Sequence, residues 1–553
     1  VSSLVIRERV AALIKNALAE AVAAGDLPSI PSLDIAVDRR GDELADYASA
    51  EAMRLARTAK MAPRDIARLV VSRMADDPAV ADVSVAGPGF INVQLDDSWV
   101  LEQIEAIVKA GPTYGAPAVQ NPLRIQVEYL SANPTGPLTI GAGRVGVVGD
   151  AVARMLAARG HEVTREYYVN DAGRQIEILA ETVRHHYAAA LGTETEFPEG
   201  GYRGEYVATW GHTIADQDGN CWLGGNNGDN TEAFELRSVN IALELIKRDL
   251  ADLGIEFDVW FSEREMRARG EVTAILEELT NSGHVTQRDG ATWFVGGEGA
   301  EDRENVLVRS RGDPTYLATD IAYHRGKFDD RNFDLVIDVW GADHQGHVPR
   351  MKAAMEALNI NPSRLEILVA QMVGMRSEEG LARAGKRSGH FVTLREVIDE
   401  VGASATRYFF LSKAIDSQME FDLELAKRED PENPIYYIQM AHARCAGIQR
   451  SAAENPINVP PNFARLGDPE STLVRQLLAY PELMIDAADT REPHRMAHYL
   501  LELARGFHSY YNDHRVVSDD RALTASRLRL IAAVRQVLAN GLSLLGIEAP
   551  EQM

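Results

Sequence analysis

Between Arg124 and Gly160 the chain passes from a strand's periodicity to a helix's, and this change restricts the fold more than any other feature. Ile125, Val127 and Tyr129 alternate with Arg124, Gln126 and Glu128, the pattern of a strand. From near Arg144, the residues Val145, Val148, Val152, Met155 and Leu156 share one face of a helix that stops at Gly160. Ser131–Asp150 joins the two with five glycines and two prolines. Bare backbone N–H groups near a helix start attract an anion, and the helix dipole adds to that attraction.

Two nucleotide readings fit this stretch. Gly141-Ala-Gly143-Arg-Val-Gly146 has the GxGxxG spacing of a dinucleotide site, with Glu166 near the place of an acidic ribose ligand. That fingerprint needs a strand running into its first glycine. Pro134 and Pro137 leave only Leu138–Ile140 to form one, too short for a buried central strand. The other reading is a site spaced for ATP, and the glycines alone leave both open.

A chain of 553 residues has room for about three or four domains. No apolar run is long enough to cross a membrane and no signal-peptide pattern opens the chain, so a cytoplasmic protein is expected. Cys221 and Cys445, the only cysteines, exclude a disulfide framework and a four-cysteine zinc site. The formal charge of −25 argues against indiscriminate coating of nucleic acid, while leaving room for local basic patches.

Residues 1–110 read as a small α+β module, with a helix marked by Ile6, Val10, Leu13, Ile14 and Ala17, helices near Ser49–Arg57 and Pro63–Met74, and strands at Val83–Val85 and Phe90–Val93. Gly111–Pro122 has a linker's composition. Alternating strands and helices follow, with strands at Arg124–Tyr129, Val163–Val169, Asp334–Val339 and Leu365–Val369, which predicts a parallel, doubly wound sheet. Residues 195–300 interrupt that alternation as an insertion, including an Asn/Gly-rich loop at Gln217–Asn230. Beyond Ser404 the pattern is helical to the end, a bundle in which arginines are interleaved with Tyr436, Tyr437, Tyr510 and Tyr511. Rings and guanidinium planes both stack on unpaired RNA bases, although most such cations are ordinary solvated faces.

Gly380–Lys386 has P-loop spacing, but Arg387 stands where Ser or Thr should hold magnesium, and the segment comes late for such a loop. A capping box, Thr393-Leu-Arg-Glu396, starts a helix directly after it. Asp343 and His344 follow the apolar run Leu335–Val339, at a strand's C-terminal end. Tyr316 and Asp320, four apart, share one face of a helix in Pro314–His324.

These segments, in this order, resemble the class I arginyl-tRNA synthetases. Glu128-Tyr-Leu-Ser131-Ala-Asn133-Pro-Thr-Gly-Pro-Leu is similar to the lead-in to that family's HIGH signature, and Tyr167-Tyr-Val-Asn170-Asp171-Ala-Gly173 to its next strand and turn. Phe257–Ser262, Pro314–His324 and Val339–His344 continue the likeness. Lys386-Arg387-Ser-Gly-His-Phe-Val-Thr393-Leu stands at the KMSKS-type loop, and Asn433–Arg444 with the tail Leu542–Met553 resembles the anticodon-binding domain. Two departures are plain. Thr139 and Ala142 replace the histidines of HIGH, and Arg383-Ala-Gly-Lys386 replaces KMSK while keeping its last lysine. They bear on the rate of activation more than on its kind.

The resemblance implies an α/β Rossmann-like catalytic domain over residues 122–400 with the insertion at 195–300, an N-terminal α+β module over 1–110 that contacts tRNA, and an all-α anticodon-binding bundle over 404–553. It implies ATP with Mg2+ as substrate complex, L-arginine and tRNA(Arg) as further substrates, no structural zinc, and a monomer that activates arginine only with tRNA bound. Thr139, Gly141, Lys386 and Arg387 are expected to act in catalysis, and Gly136, Gly141, Gly143, Arg144, Asp343 and Met372 to hold ATP. Glu128, Asn133, Tyr316, Asp320 and His344 are expected to bind arginine, and Tyr436, Gln439, Arg444, Tyr510 and Arg515 to bind tRNA. A synthetase-like paralogue that binds arginine or tRNA without charging it is the alternative.

Overall fold

Five parallel strands build the central sheet: β1 (Arg124–Tyr129), β2 (Glu162–Val169), β3 (Val259–Ser262), β4 (Leu335–Gly341) and β5 (Leu365–Ala370), in the order β5-β4-β1-β2-β3. The computed structural model describes residues 5–29, 34–42, 45–224, 228–296, 305–377, 380–383, 392–454 and 456–553. From β1 the chain winds outward through β2 and β3, then returns to build β4 and β5 on the other side. The reversal opens a crevice beyond the C-terminal ends of β1 and β4. The strand alternation in β1 suggests one wet face, yet Gln126 and Glu128 are buried as well. Helices cover both faces, as in most parallel sheets, so the polar face of β1 must be neutralised inside the protein.

Helix α1 (Ile140–Ala158) returns across the sheet from the end of β1. It starts earlier than its apolar face suggests, because the Thr139 hydroxyl caps it by accepting from the Ala142 N–H at 3.2 Å. Most of the glycines in this helix serve packing. A Cβ on Gly149 would lie 2.2 Å from Cγ of Tyr129, one on Gly146 2.6 Å from Leu130, and one on Gly143 2.5 Å from Leu394. Gly141 alone of these four faces open space, with Oγ1 of Thr139 nearest at 3.9 Å.

Helices α2 (Arg174–Ala190), α3 (Glu205–Asp218) and α4 (Gly228–Asp252) share an apolar cluster that includes Leu179, Val183, Trp210, Ile214 and Phe234. Helix α3 runs into the expected Gln217–Asn230 loop, and α4 begins before its end. Strand β3 falls inside residues 195–300, so the expected single insertion is two pieces flanking a strand of the main sheet. The second piece is a three-stranded antiparallel sheet (Val285–Arg288, Ala291–Phe294 and Val306–Val308), packed with α5 (Tyr316–Arg325) and α6 (Val348–Ala357). Four residues from Val259 to Ser262 are too few to announce a strand before their partner β2 is known.

Helix α7 (Leu394–Leu411) carries the capping box the sequence predicts, with Thr393 and Glu396 bonded reciprocally. Four long helices close the chain: α8 (Pro434–Glu454), α9 (Asp468–Thr490), α10 (His494–Asp513) and α11 (Arg521–Leu544). The N-terminal module is a four-stranded antiparallel sheet with helices. Two of its strands, Asp38–Asp42 and Ala45–Ser49, are not foreseen, since Asp, Arg and Gly there read as a turn.

The module is fastened to α9. The Tyr47 hydroxyl donates to Glu482 at 2.7 Å, Arg475 to Asp46 at 2.8 Å and Arg7 to Asp486 at 2.8 Å. Gly111–Pro122, expected to be a linker, is packed too. Tyr114 is buried with its hydroxyl donating to the Leu477 carbonyl, and a Cβ on Gly115 (φ +85°) would lie 2.1 Å from the Tyr480 ring. Buried Arg407 on α7 joins Asp150 of α1 at 2.5 Å to the backbone carbonyls of Leu253 and Leu545.

Replacing Gly149 by Ala is expected to lower stability by about 1–3 kcal/mol, because overpacking against Tyr129 outweighs alanine's helix preference. Gly141→Ala, which meets open space, should leave the urea midpoint unchanged or higher.

Candidate active site

The N-terminus of α1 points into the crevice and is gripped from two sides. The Leu394 N–H donates to the Leu138 carbonyl at 2.8 Å, and Thr139 bridges Thr393. On the other side Arg144, expected to meet ATP, turns inward. Its buried guanidinium donates to the carbonyls of Gln371 (3.1 Å), Ser417 (2.9 Å) and Ala414 (2.7 Å). Burial lowers its pKa to about 10, which still leaves it charged at neutral pH. Arg144 is therefore a bolt rather than a phosphate ligand. Together these contacts tie both ends of the segment 371–394 to α1.

Lys386 and Arg387 lie in that segment but outside the described residues. Within it, Gly380–Arg383 forms a strand antiparallel to Val373–Ser377, so four residues of the apparent P-loop are not loop. Gly136 is buried beneath Tyr206, whose hydroxyl would lie 3.1 Å from a Cβ there and donates to the Thr135 carbonyl at 2.9 Å. Met372 and Asp343 stand exposed just after β5 and β4.

Under the crevice lies a row of carboxylates. Asp338 on β4, Glu128 on β1 and Glu166 on β2 are in register on neighbouring strands. Lys327 bridges two of them, 2.6 Å from Glu128 and 2.8 Å from Asp338. Burial opposes ionisation of Asp338, but Lys327 and His324 outweigh it and hold the carboxyl down at about 2. Burial likewise works against the Lys327 ammonium, and Asp338 and Glu128 override it to raise its pKa. Glu166 accepts from Arg331 at 2.6 Å and from the Tyr323 hydroxyl at 2.5 Å. It is wholly buried and cannot hold a ribose, which removes the dinucleotide reading. Glu128, expected to grip the substrate guanidinium, is already paired within the protein.

The expected arginine residues are only partly brought together. Asp320 on α5 is partly exposed, and Nε2 of His347 lies 2.9 Å from its Oδ2. His344, expected to bind arginine, is exposed with Asp343 as its charged neighbour, because the short helical turn Ala342–His347 faces it outward. Tyr316 is exposed at the start of α5, and Asn133 donates to Gln175 at 3.1 Å. A residue the sequence reading missed joins Asp320: Glu263, buried at the end of β3 and paired with Arg267 at 2.5 Å. Burial first, and Asp320 in part, raise the Glu263 carboxyl pKa. Glu263 and Asp320 also raise that of the buried Tyr168 hydroxyl, after burial itself, and Glu128 adds to the effect. Of the two acids only Asp320 is open to solvent, and a partly exposed carboxylate beside a tyrosine is suited to a planar cation. Glu263 could be found only once β3 was known to belong to the sheet.

Comparison with known proteins decides the lineage. Residues 103–422 match the family described as tRNA synthetases class I (R), catalytic domain. Residues 8–95 match the arginyl tRNA synthetase N terminal domain, and 438–553 the DALR anticodon binding domain. Relatives named arginine–tRNA ligase include one from Moorella thermoacetica, 41% identical over 99% of both chains, and one from Dehalococcoides mccartyi, 40% identical over 100% of both. The chain belongs to the arginyl-tRNA synthetase family. The Thermus thermophilus arginyl-tRNA synthetase shares its fold, with a TM-score of 0.78 at 24% identity over 99% of this chain and 100% of the other.

In this synthetase the bundle residues expected at tRNA divide by burial. Met496, Leu500, Leu503, Phe507 and Tyr510 repeat at heptad spacing and are all buried in α10. Tyr510 donates to Glu470 at 2.9 Å in the core and presents no free ring to a base. Its neighbour Tyr511 is exposed, with the Arg444 guanidinium 5.7 Å from its ring centroid. Tyr436 is half-buried, Gln439 donates to the Glu548 carbonyl of the returning tail, and Arg515 is exposed. Among the described residues no helix is long and apolar enough to cross a membrane.

Arg144→Lys is expected to lower stability by about 1–3 kcal/mol, read by urea unfolding, because one ammonium cannot serve three divergent carbonyls.

Proposed function

We propose that this synthetase activates L-arginine with ATP and transfers the arginyl group to tRNA(Arg). The arginine carboxylate attacks the α-phosphorus and pyrophosphate leaves, and a hydroxyl of the tRNA's terminal ribose then takes the arginyl group from the adenylate as AMP departs. No covalent enzyme intermediate is needed, so the protein supplies positioning and charge. Gly141, open at the α1 N-terminus, lets phosphate approach backbone N–H groups, and Thr139 holds that terminus by capping it. Gly136 and Gly143 shape the surrounding backbone, with Asp343 and Met372 at the rim. Mg2+ arrives with ATP as part of the substrate, and Lys386 and Arg387 meet the pyrophosphate. We read the protein as a cytoplasmic monomer without structural zinc.

The match of residues 103–422 to the class I (R) catalytic domain carries the arginine assignment, with Asp320 the partly exposed carboxylate at the cleft and Glu263 close enough to it to feel its charge. Glu263, buried and bonded to Arg267, reaches the substrate only by releasing that partner. A guanidinium between the two carboxylates relieves their mutual repulsion and offers five donors in a fixed fork. Tyr316 and Asn133 border the same cleft.

Charging of total tRNA with each of the twenty amino acids should yield product with arginine alone, and ATP–pyrophosphate exchange should depend on added tRNA. Absence of both overturns the proposal. Asp320→Ala should cost well over ~2 kcal/mol in kcat/KM for arginine, and Glu263→Gln should cost in the same direction. For the bundle, Tyr511→Ala should raise KM for tRNA, whereas Tyr510→Phe should leave it unchanged and lower only stability, checked by aminoacylation kinetics and thermal melts.

A further inference from the structure

The loop that opens the cleft leaves β1 through two consecutive non-glycine residues in left-handed conformation, Leu130 (φ +73°) and Ser131 (φ +39°). L-residues adopt that conformation reluctantly, so tertiary contacts must hold them. The Ser131 hydroxyl supplies one: it donates to Glu128 at 3.0 Å and accepts from the Tyr168 N–H at 3.1 Å. The other oxygen of Glu128 is held by Lys327, which is wholly buried and also bonded to Asp338. Asp338 in turn faces Nε2 of His324 at 2.7 Å, while Nδ1 of that ring lies 2.7 Å from the Asp320 carbonyl. Both ring nitrogens thus lie at hydrogen-bond distance from an oxygen.

We infer that Lys327 is a positioning residue for arginine activation, fixing the Glu128 carboxylate that holds Ser131 and, through it, the turn leading into the ATP and arginine site. The inference rests on the synthetase reading above and adds a part to it. Lys327 lies in the π-helical turn Gly326–Asp330, directly after the helix that bears Asp320. One unbroken chain of contacts, Asp320 carbonyl–His324–Asp338–Lys327–Glu128–Ser131–Tyr168, therefore joins the arginine-facing helix to the loop that leads to the nucleotide. A substrate carboxylate and an α-phosphorus approached from these two sides are aligned only while that chain is intact. Lysine suits the place because a single compact ammonium fits between two carboxylates of adjacent strands, where a planar guanidinium would overfill a closed site.

The test is tRNA-dependent ATP–pyrophosphate exchange on wild type, Lys327→Met, Ser131→Ala and the double variant. Rates are normalised to titrated active sites, and each protein is melted in parallel. Lys327→Met should lose on the order of 100-fold in kcat/KM per active site, Ser131→Ala should lose less, and the double variant should be no worse than Lys327→Met. Wild-type kinetics per active site in Lys327→Met, with only a lower melting temperature, overturn the inference, as do losses that multiply in the double variant. Should Lys327→Met not fold, Ser131→Ala decides, since it strands no charge. Altered kinetics at an unchanged melting temperature support the chain, and unaltered kinetics overturn it. Failure of the wild type to exchange overturns instead the synthetase reading.

Discussion

The absence of side chains along one face of α1 is the constraint on which the cleft depends. Gly146 and Gly149 let the helix lie directly on Leu130 and Tyr129, at the end of the central strand. That approach fixes where the helix begins, and its beginning is where an anion can meet unpaired N–H groups. Gly143 does the same for α7, which brings Thr393 against Thr139. Close packing thus sets the position of the site before any chemistry is considered.

A second constraint follows from placing polar side chains inside a parallel sheet. Glu128, Glu166 and Asp338 would be untenable together in the interior without compensation. Lys327, Arg331 and His324 supply it, and the Tyr323 hydroxyl adds a donor. The same logic governs Arg144 and Arg407, buried cations satisfied largely by backbone carbonyls. Each such group converts an electrostatic demand into a fixed distance between elements far apart in sequence. The N-terminal module is bound to α9 through Glu482, Asp46 and Asp486.

Much of the architecture was legible in local pattern. The strand–helix alternation gave the parallel sheet, the Thr393 capping box gave the start of α7, and helical periodicity beyond Ser404 gave the long C-terminal helices. Short strands were not legible: Val259–Ser262 and Asp38–Asp42 become strands only because a partner lies beside them. Side-chain direction was harder still. Tyr510 and Tyr511 are adjacent and alike, yet heptad packing puts one in the core and leaves the other beside Arg444. His347 rather than His344 reaches Asp320 because the turn after β4 rotates the nearer histidine outward.

The sequence alone determined which residue types were available and in what order: a glycine-rich strand-to-helix passage, acidic residues near strand ends, and a helical C-terminal region. Those features depend on neighbours within a few positions, which periodicity and capping report directly. Only the tertiary structure decided which acids stay open to solvent and which are consumed in holding the fold. Glu128 went to Lys327, because a buried charge is assigned by its nearest opposite charge, and that partner lies far along the chain.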